Sequence, residues 1–549
     1  MKFDTPLLNE LFPLSQEDIN SVESLLSVLP IREKISQMVF PHVTAVFKNK
    51  DDEEYKRVIR LEKEKKVGGF AFFKGTVFDY SILSNELQQI SEIPLILAAD
   101  FERGTAMRVE EATSFPYAMA LAATQEVSLA KRMGKAIATE SKALGIHNNY
   151  APVADINTNS SNPIVNIRAF SDDKETVAKF AIAYMHGLQN EKIIATAKHF
   201  PGHGRTDVDS HRELPIINCS KEELYTEELF PFIELITNGI QSIMVGHLAV
   251  PAIDTDSIIP ATFSKRIVTD ILKAELGFNG LIITDALNMF GATNDYSVAE
   301  AARLSVQAGV DILLMPPDCD IAIDSLVNAV TDGMISEERI NESVRKILFA
   351  KKYLGLWNRT EINLSEVRNV IASKKHIELS QQIADASITI AKQNNLELPI
   401  SIDKTISIIT LTDIVETELE ATFQNYLKAE REIRVSVFIN KEINENKIGR
   451  IIDVAKTSDL IIVPLFFRIR AYQGEMNLSL SQFKLIETLN SLNAQKIFIS
   501  FGDPYIIKQL PAIDNYLSAY GDSKISQYAV VKGLLGKIKF TGKLPIKLE

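Results

Sequence analysis

Between Ile31 and Leu354 the chain repeats one unit, a short apolar run followed by a segment whose apolar residues recur every three to four positions. That alternation leaves few folds open, because parallel strands joined by helices must share one sheet whose faces the helices cover. The candidate strands are 36–40, 68–73, 94–99, 148–154, 193–197, 242–246, 280–284 and 310–315, with amphipathic segments such as 221–237 and 265–276 between them. Eight strand-helix units over this length are what a (β/α)₈ barrel with loop insertions requires. Polar residues stand at the C-terminal strand ends: Asp100 after the third, Asp155 after the fourth, Lys198 and His199 after the fifth, His247 after the sixth and Asp285 after the seventh. A barrel places its active site on that face. Any one of them could be a cap, and His247 reads equally well as a packed histidine, but packing does not explain polar residues at the same end of five strands.

The densest chemistry lies in AKHFPGHGRTDVDSHRELP, residues 197–215, which holds three of the eight histidines: His199, His203 and His211. Pro201, Gly202 and Gly204 make this a loop that a rigid scaffold must place. Asp209 and His211 are two residues apart, so in extended backbone they share a side, where a carboxylate can hold one imidazole nitrogen and free the other for proton transfer. Lys198 and His199 offer fixed donors to a polar ligand. A zinc site would show CxxC or HExxH spacing and neither occurs, so no metal and no cofactor are expected. With Pro201, Gly202 and Gly204 breaking regular structure and 205–209 polar, the loop from Phe200 to His211 is expected to be mobile when empty and to order over a bound ligand, carrying an acid with it.

A net charge of −12 with no basic patch argues against a nucleic-acid partner. Cys219 and Cys319 cannot form a disulfide framework, which fits a reducing compartment. Acids and prolines interrupt the first 18 residues and no apolar run is long enough to span a bilayer, so no signal peptide and no membrane partner are expected and the location predicted is cytoplasmic. With 549 residues, 46% of them hydrophobic, the chain can bury more than one core. A closing helix over 338–354 and a connector over 357–380 lead to a second α/β segment. Its strands are read at 405–411, 433–439, 460–465 and 495–501, with helices at 416–430, 445–457 and 481–492. The expected architecture is α/β: a (β/α)₈ barrel over 1–356, then a smaller three-layer α/β/α sandwich over 381–549.

At these residues the chain resembles the family 3 glycoside hydrolases, in the branch of β-N-acetylglucosaminidases, the β-hexosaminidases. Lys198 to Gly204 followed by Asp209, Ser210 and His211 is similar to that branch's KHFPGHG...D.DSH pattern. Asp100-Phe101-Glu102-Arg103-Gly104 with Arg108 resembles its D.EGG...R motif, Ala151 to Asp155 its APV.D strand end, and Asn162-Pro163 with Arg168 its NP...R loop. Thr284 to Met289 is similar to the nucleophile motif, and Phe501 to Tyr505 with Gly542 to Pro545 to its α/β sandwich.

The resemblance implies a retaining exo-β-N-acetylglucosaminidase acting on short glycans, with peptidoglycan fragments as the expected substrates. In that scheme Asp285 is the nucleophile, His211 the proton donor and acceptor, and Asp209 its partner, while Asp100, Arg108, Arg168, Lys198 and His199 grip the terminal sugar. The chemistry is consistent, since retention needs one carboxylate in line with the anomeric carbon and one group that gives and then takes a proton. An imidazole titrating near ~6.5 serves both halves. Three positions depart from the common motifs: Arg103 replaces a glycine, Ala286 an acidic residue, and Asn166-Ile167 a glycine-containing pair. They bear on substrate choice. A β-glucosidase, a phosphorylase using the same loop and a noncatalytic sugar-binding barrel are the alternatives.

Overall fold

The computed structural model describes residues 3–548 apart from 209–212, 257, 290, 292–293, 414–416, 444 and 468–476. Its first sheet is a closed ring. The opening strand comes in two pieces, Val39–Phe40 and His42–Val43, separated by Pro41, which has no N–H to give a ladder. One piece pairs with Leu313–Leu314 and the other with Gly69–Phe72, so the first strand joins the eighth to the second. Ile96–Ala99, Asn148–Asn149, Ile194–Phe200, Ser242–Val245 and Leu281–Thr284 continue the ring in parallel and in chain order. A bridge between Ile283 and Ile312 closes it.

Each strand is followed by a helix on the outer layer, among them Glu53–Lys63, Val77–Ile90, Lys174–Gln189 and Val298–Ala308. These starts are written locally: Asp52, Thr76, Asp173 and Ser297 each accept first-turn backbone N–H groups with their side chains. Two strand assignments need correction. Residues 31–37 form a helix, which moves the first strand to 39–43. The fifth strand runs to Phe200, so Lys198 and His199 lie within it rather than after it.

Helix Lys374–Ser387 leads to a six-stranded sheet in the order Thr389–Gln393, Asn515–Ser518, Gln495–Ser500, Leu460–Phe466, Ile406–Thr412, Ile433–Ile439. All neighbours are parallel except the first pair. Alternate residues feed two cores, Ile408, Ile462 and Ile499 on one face and Ile409, Val463 and Phe498 on the other. Strands 389–393 and 515–518 escaped the sequence reading because one is a half-exposed edge and the other only four residues long. No helix among the described residues is long and apolar enough to cross a membrane.

The two sheets meet at a seam. Met119, Ala123 and Ile167 of the barrel pack with Tyr505, Tyr520 and Ile546 of the sandwich. Asn166 donates to Asp503 at 3.0 Å, Asn157 to the Tyr505 hydroxyl at 3.0 Å, and the Lys547 amide to Asp172 at 2.7 Å. The loops that follow strands 495–500 and 515–518 thereby face the C-terminal rim of the barrel.

Candidate active site

A cavity of about 520 Å³ opens on that rim. Its floor carries Asp100, Lys198, His199 and Asp285 from strand ends, and its walls Glu102, Arg108, Arg168 and His203. Phe501, Gly502, Gly521 and Asp522 of the sandwich complete it, a contribution that the order of residues along the chain does not reveal.

The sugar-binding candidates form one network. Arg108 donates to Asp100 at 2.8 Å, Lys198 to Asp100 at 2.8 Å and to Glu102 at 2.7 Å, and Arg168 grips Glu102 through two bonds at 3.0 and 2.7 Å. Burial pushes both carboxyls up, but these cations overcome it, so Asp100 lies below its ordinary value and Glu102 well below. Glu102 is thus a member of the site that motif reading quoted but did not assign. The available signal was its spacing, two residues past Asp100 and therefore on the same side of extended backbone.

Asp155 organises the fifth strand end. It is fully buried and accepts the His199 amide at 3.0 Å, the His203 amide at 2.7 Å and His199 Nδ1 at 2.7 Å. Burial raises its pKa, yet the fields of the histidines and these bonds hold it below the usual range, so it acts as acceptor. His199 Nδ1 is therefore the donor, which leaves Nε2 for the cavity. His203, also missed, lines the cavity and is pushed down to about 4 by burial and by His199, so it is neutral at pH 7.

The loop beyond is better packed than its composition predicts. Residues from Phe200 to Gly204 and Thr206 are buried. A Cβ at Gly204 would stand 1.5 Å from the Ile156 carbonyl oxygen, so only glycine allows this approach. Asn162 donates to His203 O at 2.8 Å, and Arg205 pairs with the buried Glu228 at 3.1 Å. Asp209 and His211 lie outside the described residues.

Asp285 follows the seventh strand. Its Oδ1 accepts the Ala286 amide at 2.8 Å, and no cation among the described residues lies within ion-pair distance. Burial raises its pKa, but the fields of His199, His247 and Lys198 with that amide bond leave it below the ordinary value, hence ionised. His247 proves to be a packed residue: only 1% exposed, it donates from Nε2 to the Ala286 carbonyl at 3.1 Å and accepts the Thr262 hydroxyl at Nδ1, 2.9 Å away. It holds the backbone next to Asp285. No cluster of three or more metal-ligating side chains occurs among the described residues.

A parallel barrel with an ionised carboxylate, unpaired among the described residues, beside a ring of hydrogen-bonding charges is an arrangement that fits a glycoside-cleaving enzyme. Residues 30–350 match the glycosyl hydrolase family 3 N terminal domain, and the chain belongs to that family. It is 27% identical over 558 residues to a beta-N-acetylglucosaminidase/beta-glucosidase of Cellulomonas fimi, with 97% of each chain covered. A beta-hexosaminidase of Nitrosomonas eutropha is 34% identical over 255 residues, which is 45% of this chain and 72% of that one. Among solved structures, the beta-glucoside phosphorylase BglX bound to 2FGlc superposes with a TM-score of 0.89 at 28% identity, covering 98% of both chains. A family 3 beta-N-acetylglucosaminidase from Paenibacillus sp. str. FPU-7 gives 0.85 at 30% identity, with 95% and 99% covered.

Proposed function

We propose that the chain is a retaining exo-β-N-acetylglucosaminidase that removes terminal N-acetylglucosamine from short glycans, peptidoglycan fragments in the cytoplasm being the intended substrates. The observation that carries this reading is Asp285, ionised, oriented by one backbone amide and without a counter-ion among the described residues at the cavity floor. Its free oxygen attacks the anomeric carbon, the glycosidic bond breaks toward the leaving oxygen, and a glycosyl ester forms. His211, with Asp209, supplies the proton to the departing oxygen and then takes one from water. Asp100, Arg108, Arg168 and Lys198 hold hydroxyls of the sugar, with Glu102 fixing the two cations it binds.

A second reading, phosphorolysis of a β-glucoside, is favoured by the likeness to the protein titled a phosphorylase. One assay separates them: aryl N-acetyl-β-glucosaminide beside aryl β-glucoside, each with and without inorganic phosphate, with the products followed by NMR. Release of β-N-acetylglucosamine independent of phosphate is the expected result. Glycosyl phosphate as main product, or an inverted anomer, refutes the hydrolytic retaining scheme.

A further inference from the structure

We infer that Arg103 is an anion-binding residue of the substrate cavity, holding a carboxylate or phosphate group presented beside the sugar; this rests on the sugar-cleaving reading above. The other cations of the cavity wall are spoken for: Arg108 by Asp100, Arg168 by Glu102, Lys198 by both. Arg103 differs. Its guanidinium donates from Nη1 to the Ser114 hydroxyl at 3.2 Å and lies 4.6 Å over the Tyr117 ring, and no carboxylate among the described residues comes within ion-pair distance. Burial works against its charge, while Tyr117, Asp522 and Glu102 act in its favour, leaving the group fully cationic. A partly buried guanidinium with no carboxylate partner among the described residues has its charge left for a ligand to balance, and its remaining N–H groups form the planar fork that carboxylates and phosphates match.

The loop keeps that fork in place. The Arg103 carbonyl accepts the Phe115 amide at 2.9 Å. Gly104, at φ +107°, brings the backbone so close that a Cβ would lie 2.2 Å from the Thr113 oxygen. Buried Glu140 ties Thr105 and Thr113 of the same loop to His376 of the connecting helix. Tyr117, beneath the guanidinium, is wedged against Gly521 of the sandwich, whose added Cβ would stand 2.8 Å from the ring. Arg103 therefore sits where barrel and sandwich jointly wall the cavity. A hydroxyl would satisfy the N–H groups but bring no counter-charge.

Two sources offer this chemistry: inorganic phosphate, and a carboxylate on the leaving group. Calorimetric titration of the full chain separates them without turnover. One arm adds inorganic phosphate to protein saturated with N-acetylglucosamine. The other compares the hydrolysis-resistant 3-carboxyphenyl and 3-carbamoylphenyl thio-β-N-acetylglucosaminides, which differ only in charge. In at least one arm the anion should bind ~10-fold more tightly to wild type than to Arg103→Gln, with Arg103→Lys in between. Thermal melting of each variant checks that the fold is kept, and Arg103→Lys with Ser114→Ala carries the test should Arg103→Gln fail to fold. No phosphate binding and no carboxylate preference in wild type, or the same preference in the variants, overturns the inference. Turnover of an uncharged aryl glycoside by wild type reports separately on the hydrolytic reading.

Discussion

Asp285 and Asp311 stand on neighbouring strands at opposite ends of the barrel, and both are carboxylates held below their ordinary pKa. Asp311, wholly buried at the N-terminal end, is saturated: it accepts the Ile282 amide at 3.1 Å and the Ser343 hydroxyl at 2.6 Å, and pairs with Lys346 at 3.0 Å and Arg339 at 3.4 Å. Among the described residues Asp285 has one amide bond, distant positive fields and a cavity in front of it. A depressed pKa is thus shared by a staple and a nucleophile. What separates them is how many bonds occupy the oxygens, since an oxygen already committed to two donors has no lone pair aimed at an incoming carbon.

The contrast breaks if exchanging the two residues' fates fails. Asp285→Ala is expected to lose ~10³-fold or more in turnover while melting close to wild type. Asp311→Ala strands Lys346 and Arg339 in the interior and should cost ~3–5 kcal/mol of stability, with near-normal turnover per folded molecule. Activity assays and melting curves on both variants decide it, and a stable Asp311→Ala protein would mean that the lower network is decoration. The sign with pH follows from the depressed value: the contribution of Asp311 is complete above the ordinary carboxylate pKa and is lost as pH falls through its lower folded value.

The next effect in size concerns the proton donor. His211→Ala should slow glycosides with poor leaving groups by ~10²-fold or more and aryl glycosides far less, because a good leaving group departs without a proton. Equal losses on both would place His211 in sugar binding. Glu102→Gln comes third: Arg168 and Lys198 lose a shared counter-charge, and kcat/KM should drop ~10-fold to 10²-fold without a matching fall in Tm. A collapse in stability instead would make the upper network resemble the lower one.

The smallest effect tests the seam. Burial raises Asp503 to about 6, even though it accepts bonds from Asn166 and the Tyr505 amide. An acid whose folded pKa is raised costs stability above about 6, and that cost fades as pH falls toward its unfolded value of about 3.8. Asp503→Asn keeps the acceptor oxygen and removes the charge, so it should melt ~1–3 °C above wild type at pH 7 and level with it at pH 4. A gap that widens on acidification would contradict the assignment.

Local rules made much of this molecule legible. Strand-helix alternation and side-chain caps such as Asp52 and Ser297 act within a few residues, so the barrel, most of its strands and the position of Asp285 at a strand end could be read directly. So could the polar rim of Asp100, Lys198 and His199, because position relative to a strand end decides which face a side chain meets, whereas Arg168, on a loop turn, was reached only through its motif resemblance. Other features depended on contacts between residues far apart in the chain. The partners of Glu102, the packed role of His247 under Thr262, the edge strand Thr389–Gln393 and the sandwich's share of the cavity wall all arise from such contacts. Composition did not foretell the burial of residues 200–204 and Thr206, since Gly204 and Asn162 form that core only after two loops from different strands approach each other. The same holds for Arg103. Its identity is written in the chain, but its lack of a carboxylate partner among the described residues is a property of distances that only the folded arrangement sets.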